Sequence, residues 1–134
     1  MNSDKQGLEA YVMPYFHFDY AAIAVFAILA RIAHGGLNVL EILFTFFTFA
    51  MGTSLAWANQ IRRLASPESR AKAPHSSSVR FGIQVWLATV IGGLFIWSLI
   101  NDNAIPHWSF VLVASFFSGL FIIGWRVIYG FIKR

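Results

Sequence analysis

The stretch FGIQVWLATVIGGLFIWSLI, residues 81–100, contains no charged side chain. A helix needs about 20 mainly apolar residues to cross a bilayer core about 30 Å thick, and this stretch has that length. Because the bilayer core offers no water to backbone polar groups, a single segment satisfies those groups only as a helix. Residues 81–100 therefore predict a membrane-spanning helix.

Three further stretches of the chain have the same apolar character, and they cover residues 14–33, 37–57 and 108–129. The sequence therefore predicts an all-α integral membrane protein with four transmembrane helices. The first stretch is the least apolar of the four because it contains charged residues. A position in the membrane interface, instead of across the bilayer, is the alternative for this helix.

The connections between these stretches arrange the helices in pairs. Gly35 and Gly36 leave only a short turn between the first and second stretches, and glycine is the preferred residue just beyond a helix end. Residues 101–107, with the sequence NDNAIPH, form a turn-rich loop between the third and fourth stretches. Short connections place consecutive helices side by side, so we expect two antiparallel hairpins.

The predicted organisation of the chain has four parts. They are a polar N-terminal segment (1–13), a first transmembrane hairpin (14–58), a basic cytoplasmic linker (59–80), and a second transmembrane hairpin with a short basic tail (81–134). The linker contains two prolines and three consecutive serines, which predicts a flexible, solvated segment. The N-terminal segment lacks the pattern of a cleavable signal peptide.

The basic residues indicate how the helices are oriented. Short basic loops stay on the cytoplasmic side of a membrane. If both termini and the linker are cytoplasmic, nine of the ten Lys and Arg residues lie on that side, and Arg31 is the exception. The nine include Arg126, which we place at the end of an apolar stretch. We therefore predict a multi-pass protein of the inner (plasma) membrane with both termini in the cytoplasm.

The composition excludes several classes of protein. The chain is 57% hydrophobic and only 12% charged, whereas a soluble domain has about 25% charged residues. The net charge is +4, and the basic residues other than Arg31 lie outside or at the ends of the apolar stretches. They do not form a basic helix with base-stacking aromatics, so we expect the lipid bilayer and not nucleic acid as a partner. The absence of cysteine excludes disulfides, thiolate metal sites and a cysteine nucleophile.

No pattern of catalytic or cofactor-binding residues is visible in the sequence. The four histidines, His17, His34, His75 and His107, lie in different segments without a second metal ligand at helical spacing. A phosphate-binding glycine loop, a nucleophile elbow and a pair of carboxylates are all missing. We therefore expect a protein that is not an enzyme and that binds no metal or cofactor.

Arg31 and Glu41 are candidate partners in an ion pair within the membrane. They flank the predicted Gly35–Gly36 turn at similar distances along the chain. At 1.5 Å per residue both lie roughly 6 to 8 Å below the turn, and charges within a membrane usually face a partner or water. The alternative is that each side chain extends independently to the outer headgroups.

Small residues four apart are candidates for helix packing and self-association. Lipid gives no hydrophobic drive to helix association, so close backbone approach at small residues supplies much of it. The candidates are Thr48 with Gly52, Ala88 with Gly92, Thr89 with Gly93, and Ser115 with Gly119. We expect one internal and one external face, and hence a homo-oligomer or membrane-protein partners; packing inside a single monomer is the alternative.

Parts of the chain resemble the lambda-type phage holins. The resemblance rests on Ile28-Leu29-Ala30-Arg31-Ile32-Ala33-His34-Gly35-Gly36, on Leu40-Glu41-Ile42-Leu43-Phe44, and on the C-terminal residues Phe117-Ser118-Gly119 and 128–134. Members of that family gather in the inner membrane and open it at a timed moment for a lytic enzyme. They have three membrane helices with a basic stretch after the first, whereas this chain has four predicted helices with its basic linker after the second.

Three functions are therefore compared. The resemblance implies an oligomerising, membrane-permeabilising protein that is holin-like and serves phage-type lysis. A structural membrane subunit of a larger envelope complex, such as a conjugation or secretion apparatus, is the second. A small ion or drug carrier is the third, and Asp19 is its only candidate carboxylate. Asp19 lies in the early turns of the first helix, where it complements the positive helix end, and a carrier would need a carboxylate deeper in the membrane.

Overall fold

The computed structural model describes residues 15–33, 38–103, 105 and 108–133 of the chain, and most of this part is helical. The helices are α1 (Tyr15–Ala33), α2 (Val39–Ala65), α3 (Pro67–Lys72), α4 (Val79–Ile100) and α5 (Trp108–Lys133). All except α3 are long and apolar enough to cross a membrane. The predicted all-α fold with four transmembrane helices is confirmed.

The four long helices form a closed ring in the order α1, α2, α4 and α5. Helix α1 packs against α2 and α5, and α4 packs against the same two helices. Successive helices run antiparallel, since Trp57 of α2 contacts Phe81 at the start of α4, while Tyr15 at the start of α1 contacts Tyr129 near the end of α5. The bundle has two ends: the linker end, where residues 66–78 connect α2 to α4, and the opposite end, which contains Arg31 and Glu41.

Helix boundaries follow local capping chemistry. Helix α2 begins after Asn38, whose side chain accepts hydrogen bonds from the first-turn amides, and α4 begins after Ser78, which caps it in the same way. Asp102 and Asn103 have positive φ angles of 56° and 61°, a conformation that Asp and Asn tolerate better than most residues. These two residues begin the turn from α4 towards α5.

Several predicted features lie outside the described residues. They are the N-terminal segment 1–13, the helix start at Pro14, the turn at Gly35 and Gly36, His34, residues 104, 106 and 107, and the terminal Arg134.

The predicted end of the second helix at residue 57 is wrong, and α2 continues to Ala65. Its last two turns are held from inside the bundle, because Gln60 is fully buried and Leu64 nearly so. The Gln60 side chain donates a hydrogen bond to the carbonyl of Pro74 at 2.8 Å. The segment predicted as a flexible linker therefore consists largely of the end of α2, helix α3 and a stretch folded back onto the bundle.

The distribution of polar and apolar side chains is that of a membrane protein. Large apolar residues are exposed around the bundle, for example Phe47 (61%), Phe95 (64%) and Phe116 (65%). Polar and charged residues, among them Asp19 and Arg126, are buried. Such an exterior is stable only against lipid, and the chain is a multi-pass membrane protein.

Candidate functional site

A buried ion pair connects α1 to α5 near the linker end. Nη1 of Arg126 donates to Oδ1 of Asp19 at 2.6 Å, and Nη2 donates to Oδ2 at 2.8 Å. The exposed fraction of both side chains is 0%. Two parallel bonds between a guanidinium and a carboxylate form the strongest geometry available to such a pair.

Two tryptophans complete the coordination of the Asp19 carboxylate. The indole Nε1 of Trp57 in α2 donates to one carboxylate oxygen at 2.8 Å, and that of Trp125 donates to the other at 2.9 Å. A carboxylate has about four acceptor positions, so these four donors satisfy it. Its position ties α1, α2 and α5 together through one acidic group.

Arg126 is held on its other sides by carbonyls and aromatic rings. It donates to the carbonyls of Ser76 and Ile122 at 3.1 and 3.0 Å, and its guanidinium lies 4.3 Å from the centre of the Trp125 ring. A Cβ atom at Gly82 of α4 would lie 2.6 Å from Cδ of Arg126. Glycine at this position therefore makes the space in which the arginine side chain lies.

Arg126, which we predicted to lie at the end of an apolar stretch as a topology signal, has its side chain buried in the bundle, and its value as a topology signal stays a prediction. It lies within α5 and is 1% exposed. Its partner Asp19 belongs to the first helix, so the two are far apart in the sequence. The available signal was that the first and last membrane helices each contain a charge of opposite sign at similar depth from the linker end.

Residues between α3 and α4 cover the ion pair. Ser76 is 1% exposed, and Nε2 of Gln60 donates to the carbonyl of Pro74 and to Oγ of Ser76. Oε1 of Gln60 is buried and accepts no hydrogen bond from the described part of the chain. The cover is non-helical over residues 73–78, so it depends on a small number of hydrogen bonds.

The next layer towards the opposite end holds two hydroxyl groups and one aromatic ring. Oγ1 of Thr53 in α2 lies 2.6 Å from Oγ1 of Thr89 in α4, and both residues are fully buried. One turn further along α2, Phe49 contacts Phe26 of α1 and Phe110 of α5, with ring centres 5.1 and 6.3 Å away. Phe49 closes the centre of the bundle.

Three of the predicted small residues, Gly52, Ala88 and Gly92, lie where α2 meets α4. A Cβ atom at Gly52 would lie 2.3 Å from the carbonyl oxygen of Ala88, and one at Gly92 would lie 3.0 Å from Cα of Gly52. Thr48 is buried in the same helix and donates to the carbonyl of Phe44. Gly52, Ala88 and Gly92 therefore allow close backbone approach within one chain.

Gly93, Ser115 and Gly119 also face neighbouring helices of the same chain. A Cβ atom at Gly93 would lie 2.2 Å from the Phe49 ring, and one at Gly119 would lie 2.9 Å from Nε1 of Trp86. The same indole donates to the carbonyl of Ser115 at 2.8 Å. The Ala88–Gly92 and Ser115–Gly119 pairs therefore both contact neighbouring helices of the same chain, and self-association through an external face stays a prediction.

A cavity of about 450 Å³ lies at the end of the bundle opposite the linker. Arg31 and Glu41 form an ion pair at its rim, with side chains 27% and 52% exposed. Thr48 and Phe49 line it towards the centre. The remaining lining residues are Leu40, Phe44, Thr45, Trp97, Asn101 and Phe110.

These features define a class of protein: a four-span membrane bundle with a dry charge pair at one end and a cavity at the other. Over the described residues, no three His, Cys, Asp or Glu side chains lie close enough together to hold a metal ion. Residues 16–129 match the family described as "Protein of unknown function (DUF3054)", and the chain belongs to this family. Searches of curated proteins and of solved structures found no match to the chain.

Proposed function

We propose that this chain is a small membrane carrier that opens the centre of its bundle to one side of the membrane at a time. The observation that supports the proposal is the difference between the two ends. A cavity extends from the Arg31 and Glu41 rim to Phe49, whereas the buried pair of Asp19 and Arg126 closes the linker end. This is the arrangement of a carrier that is open to one side only.

The ion pair is suited to a gate because its stability depends on dryness. Removing two charges from water is costly, and only their close, fully hydrogen-bonded geometry offsets this cost. Water that entered the layer would hydrate Asp19 and Arg126 separately and would remove much of the advantage of pairing. The covering residues 73–78 are not helical, so they can move without breaking a helix.

With the topology predicted from the basic residues, the cavity opens to the outside of the cell and the gate lies near the cytoplasm. The solute would then pass Phe49, the Thr53–Thr89 layer and the ion pair in that order. Alternating access of this kind is commonly a rocking of one half of a helix bundle against the other.

Membrane permeabilisation of the holin type is the main competing function. It needs an outward face for self-association, and the small residues assigned to that face pack within the chain. A structural membrane subunit needs neither a cavity nor a gate. A carrier is therefore distinguished from both alternatives by measuring from which sides of the membrane a reagent reaches the centre of the bundle.

The experiment uses the absence of cysteine from the chain, because each introduced cysteine is then the only one present. Thr45→Cys reports on the cavity, and Thr53→Cys reports on the layer between Phe49 and the ion pair. Each is treated with a membrane-impermeant thiol reagent in vesicles of both orientations. Phe116→Cys, on the exposed apolar surface, is the control for a site that faces lipid.

For a carrier, Thr45→Cys reacts from the cavity side, and Thr53→Cys reacts slowly from both sides. Adding Asp19→Asn should increase the reaction of Thr53→Cys from the linker side at least about tenfold, while unchanged reaction of Thr45→Cys shows that the bundle is still folded. Reaction of Thr53→Cys from one side or neither contradicts the proposal. Rapid depolarisation of cells that express the unsubstituted chain would instead support permeabilisation.

A further inference from the structure

The two ion pairs found among the described residues differ in their exposure to solvent. Asp19 and Arg126 are fully buried, whereas Arg31 and Glu41 are partly exposed at the rim of the cavity. Arg31 donates to Glu41 through Nη2. Its Nε is buried and has no hydrogen-bond partner among the residues that the structure describes, and an unpaired buried donor is costly. The rim pair is therefore incompletely satisfied on the side of the arginine.

The walls of the cavity next to this pair are aromatic. The rings of Trp97 and Phe110 lie with their centres 5.6 Å apart, and Phe44 and Phe49 line the cavity from α2. Aromatic and apolar walls with a few polar groups are typical of sites for small organic molecules, whose pockets have volumes of about 300–1,000 Å³. The 450 Å³ cavity suits a molecule with a single ring or a branched chain.

We infer that this cavity binds a small zwitterion with an apolar body, whose carboxylate meets Arg31 and whose ammonium group meets Glu41. The inference rests on the proposed function and names the class of solute that the carrier would take. The apolar body of the solute lies against the aromatic walls. The partly exposed guanidinium of Arg31 supplies the donors for the incoming carboxylate.

Charge balance selects the zwitterion over ions of a single charge. The rim pair is neutral as a whole, so a zwitterion can replace each partner of the pair with one of its own groups. A solute with only an ammonium group would take Glu41 from Arg31 and leave the arginine unpaired. A solute with only a carboxylate would leave Glu41 unpaired, and an uncompensated charge in a partly dry site opposes binding.

The test compares three probes with the same aromatic ring: L-phenylalanine, phenylacetate and phenethylamine. Binding to the purified full-length chain in lipid nanodiscs is measured by calorimetry. We expect L-phenylalanine to bind at least about tenfold more tightly than either singly charged probe. Equal binding of the three probes, preference for a singly charged probe, or no binding of any of them would overturn the inference.

Variants assign the two charges. Arg31→Gln should remove the preference for L-phenylalanine over phenethylamine, and Glu41→Gln should remove its preference over phenylacetate. Arg62→Gln is the matched control, because Arg62 is an exposed arginine at the linker end, and the preference should remain. A preference that survives both rim substitutions would overturn the inference. If a variant does not fold, the comparison of the three probes on the unsubstituted chain tests the inference alone.

The result is independent of whether the protein transports anything. Zwitterion binding together with reaction of Thr53→Cys from one side only would keep the binding site and contradict the carrier. Reaction from both sides without a preference for the zwitterion would keep the carrier and overturn the binding site.

Discussion

Removing one partner of the Asp19–Arg126 pair should destabilise the protein much more than removing a surface charge. Asp19→Asn leaves the buried guanidinium with only neutral partners, and Arg126→Gln leaves a buried carboxylate with only the two tryptophan donors. Breaking a buried ion pair in this way costs about 3–5 kcal/mol. At 1.4 kcal/mol per factor of ten, the unfolding equilibrium constant rises about 10²- to 10³-fold or more.

The double variant is the decisive measurement. Asp19→Asn with Arg126→Gln removes both charges, so its cost should fall short of the sum of the two single costs by about 2 kcal/mol. Unfolding is followed in mixed micelles by titration with sodium dodecyl sulfate. The emission of Trp57 and Trp125 reports on the site directly, because both indoles donate to Asp19.

Arg62→Gln is the control for this cycle and should change stability by no more than about 0.5 kcal/mol, since Arg62 is exposed. If the losses of unfolding free energy in the two single variants add up to that of the double variant, Asp19 and Arg126 do not stabilise one another. The argument for a charge gate then fails. A small cost for each single variant would have the same meaning.

Two further predictions concern the other contacts of the bundle. Each single variant, Arg31→Glu or Glu41→Arg, should lose about 1 kcal/mol of stability or less, because both groups are partly in water. The double variant that exchanges the two charges should recover this loss. If micelle titration shows no recovery, the two side chains act independently. Gly52→Ala should destabilise the bundle by about 1–3 kcal/mol because its Cβ meets the main chain of Ala88. Gly124→Ala is the control and should cost nothing, because a Cβ there would meet no described atom within 4 Å beyond its own stretch of helix. Equal effects of the two variants in thermal unfolding would contradict the close contact at Gly52.

The positions of the membrane helices could be predicted from the sequence because lipid imposes a simple rule. A long apolar stretch such as 81–100 must be helical in a bilayer, and the observed α4 spans Val79–Ile100. The end of α2 could not be predicted in this way. Gln60 is polar, but its side chain is buried by contacts with Pro74, and such a contact depends on how the chain folds back after α3.

The candidate site was harder to predict than the fold. Arg31 and Glu41 flank the predicted short turn at Gly35 and Gly36, so helix geometry alone suggested that they could meet. Asp19 and Arg126 lie on the first and last helices, and their pairing depends on which helices are neighbours in the ring. Basic residues near helix ends usually report topology. Arg126 is a basic residue near a helix end, but its side chain is buried between helices.

The contacts of the bundle indicate which parts of it would move in a carrier. Helices α2 and α4 are joined by main-chain contact at Gly52 and by the Thr53–Thr89 hydrogen bond, and close-packed backbones resist sliding. Helices α1 and α5 are joined near the linker end through the side chains of Asp19 and Arg126. Side-chain contacts of this kind can be exchanged for contacts with water or a solute, whereas a glycine contact has no substitute. A transition between the two sides of the membrane is therefore expected to separate α1 from α5 at the linker end, while α2 and α4 stay packed together.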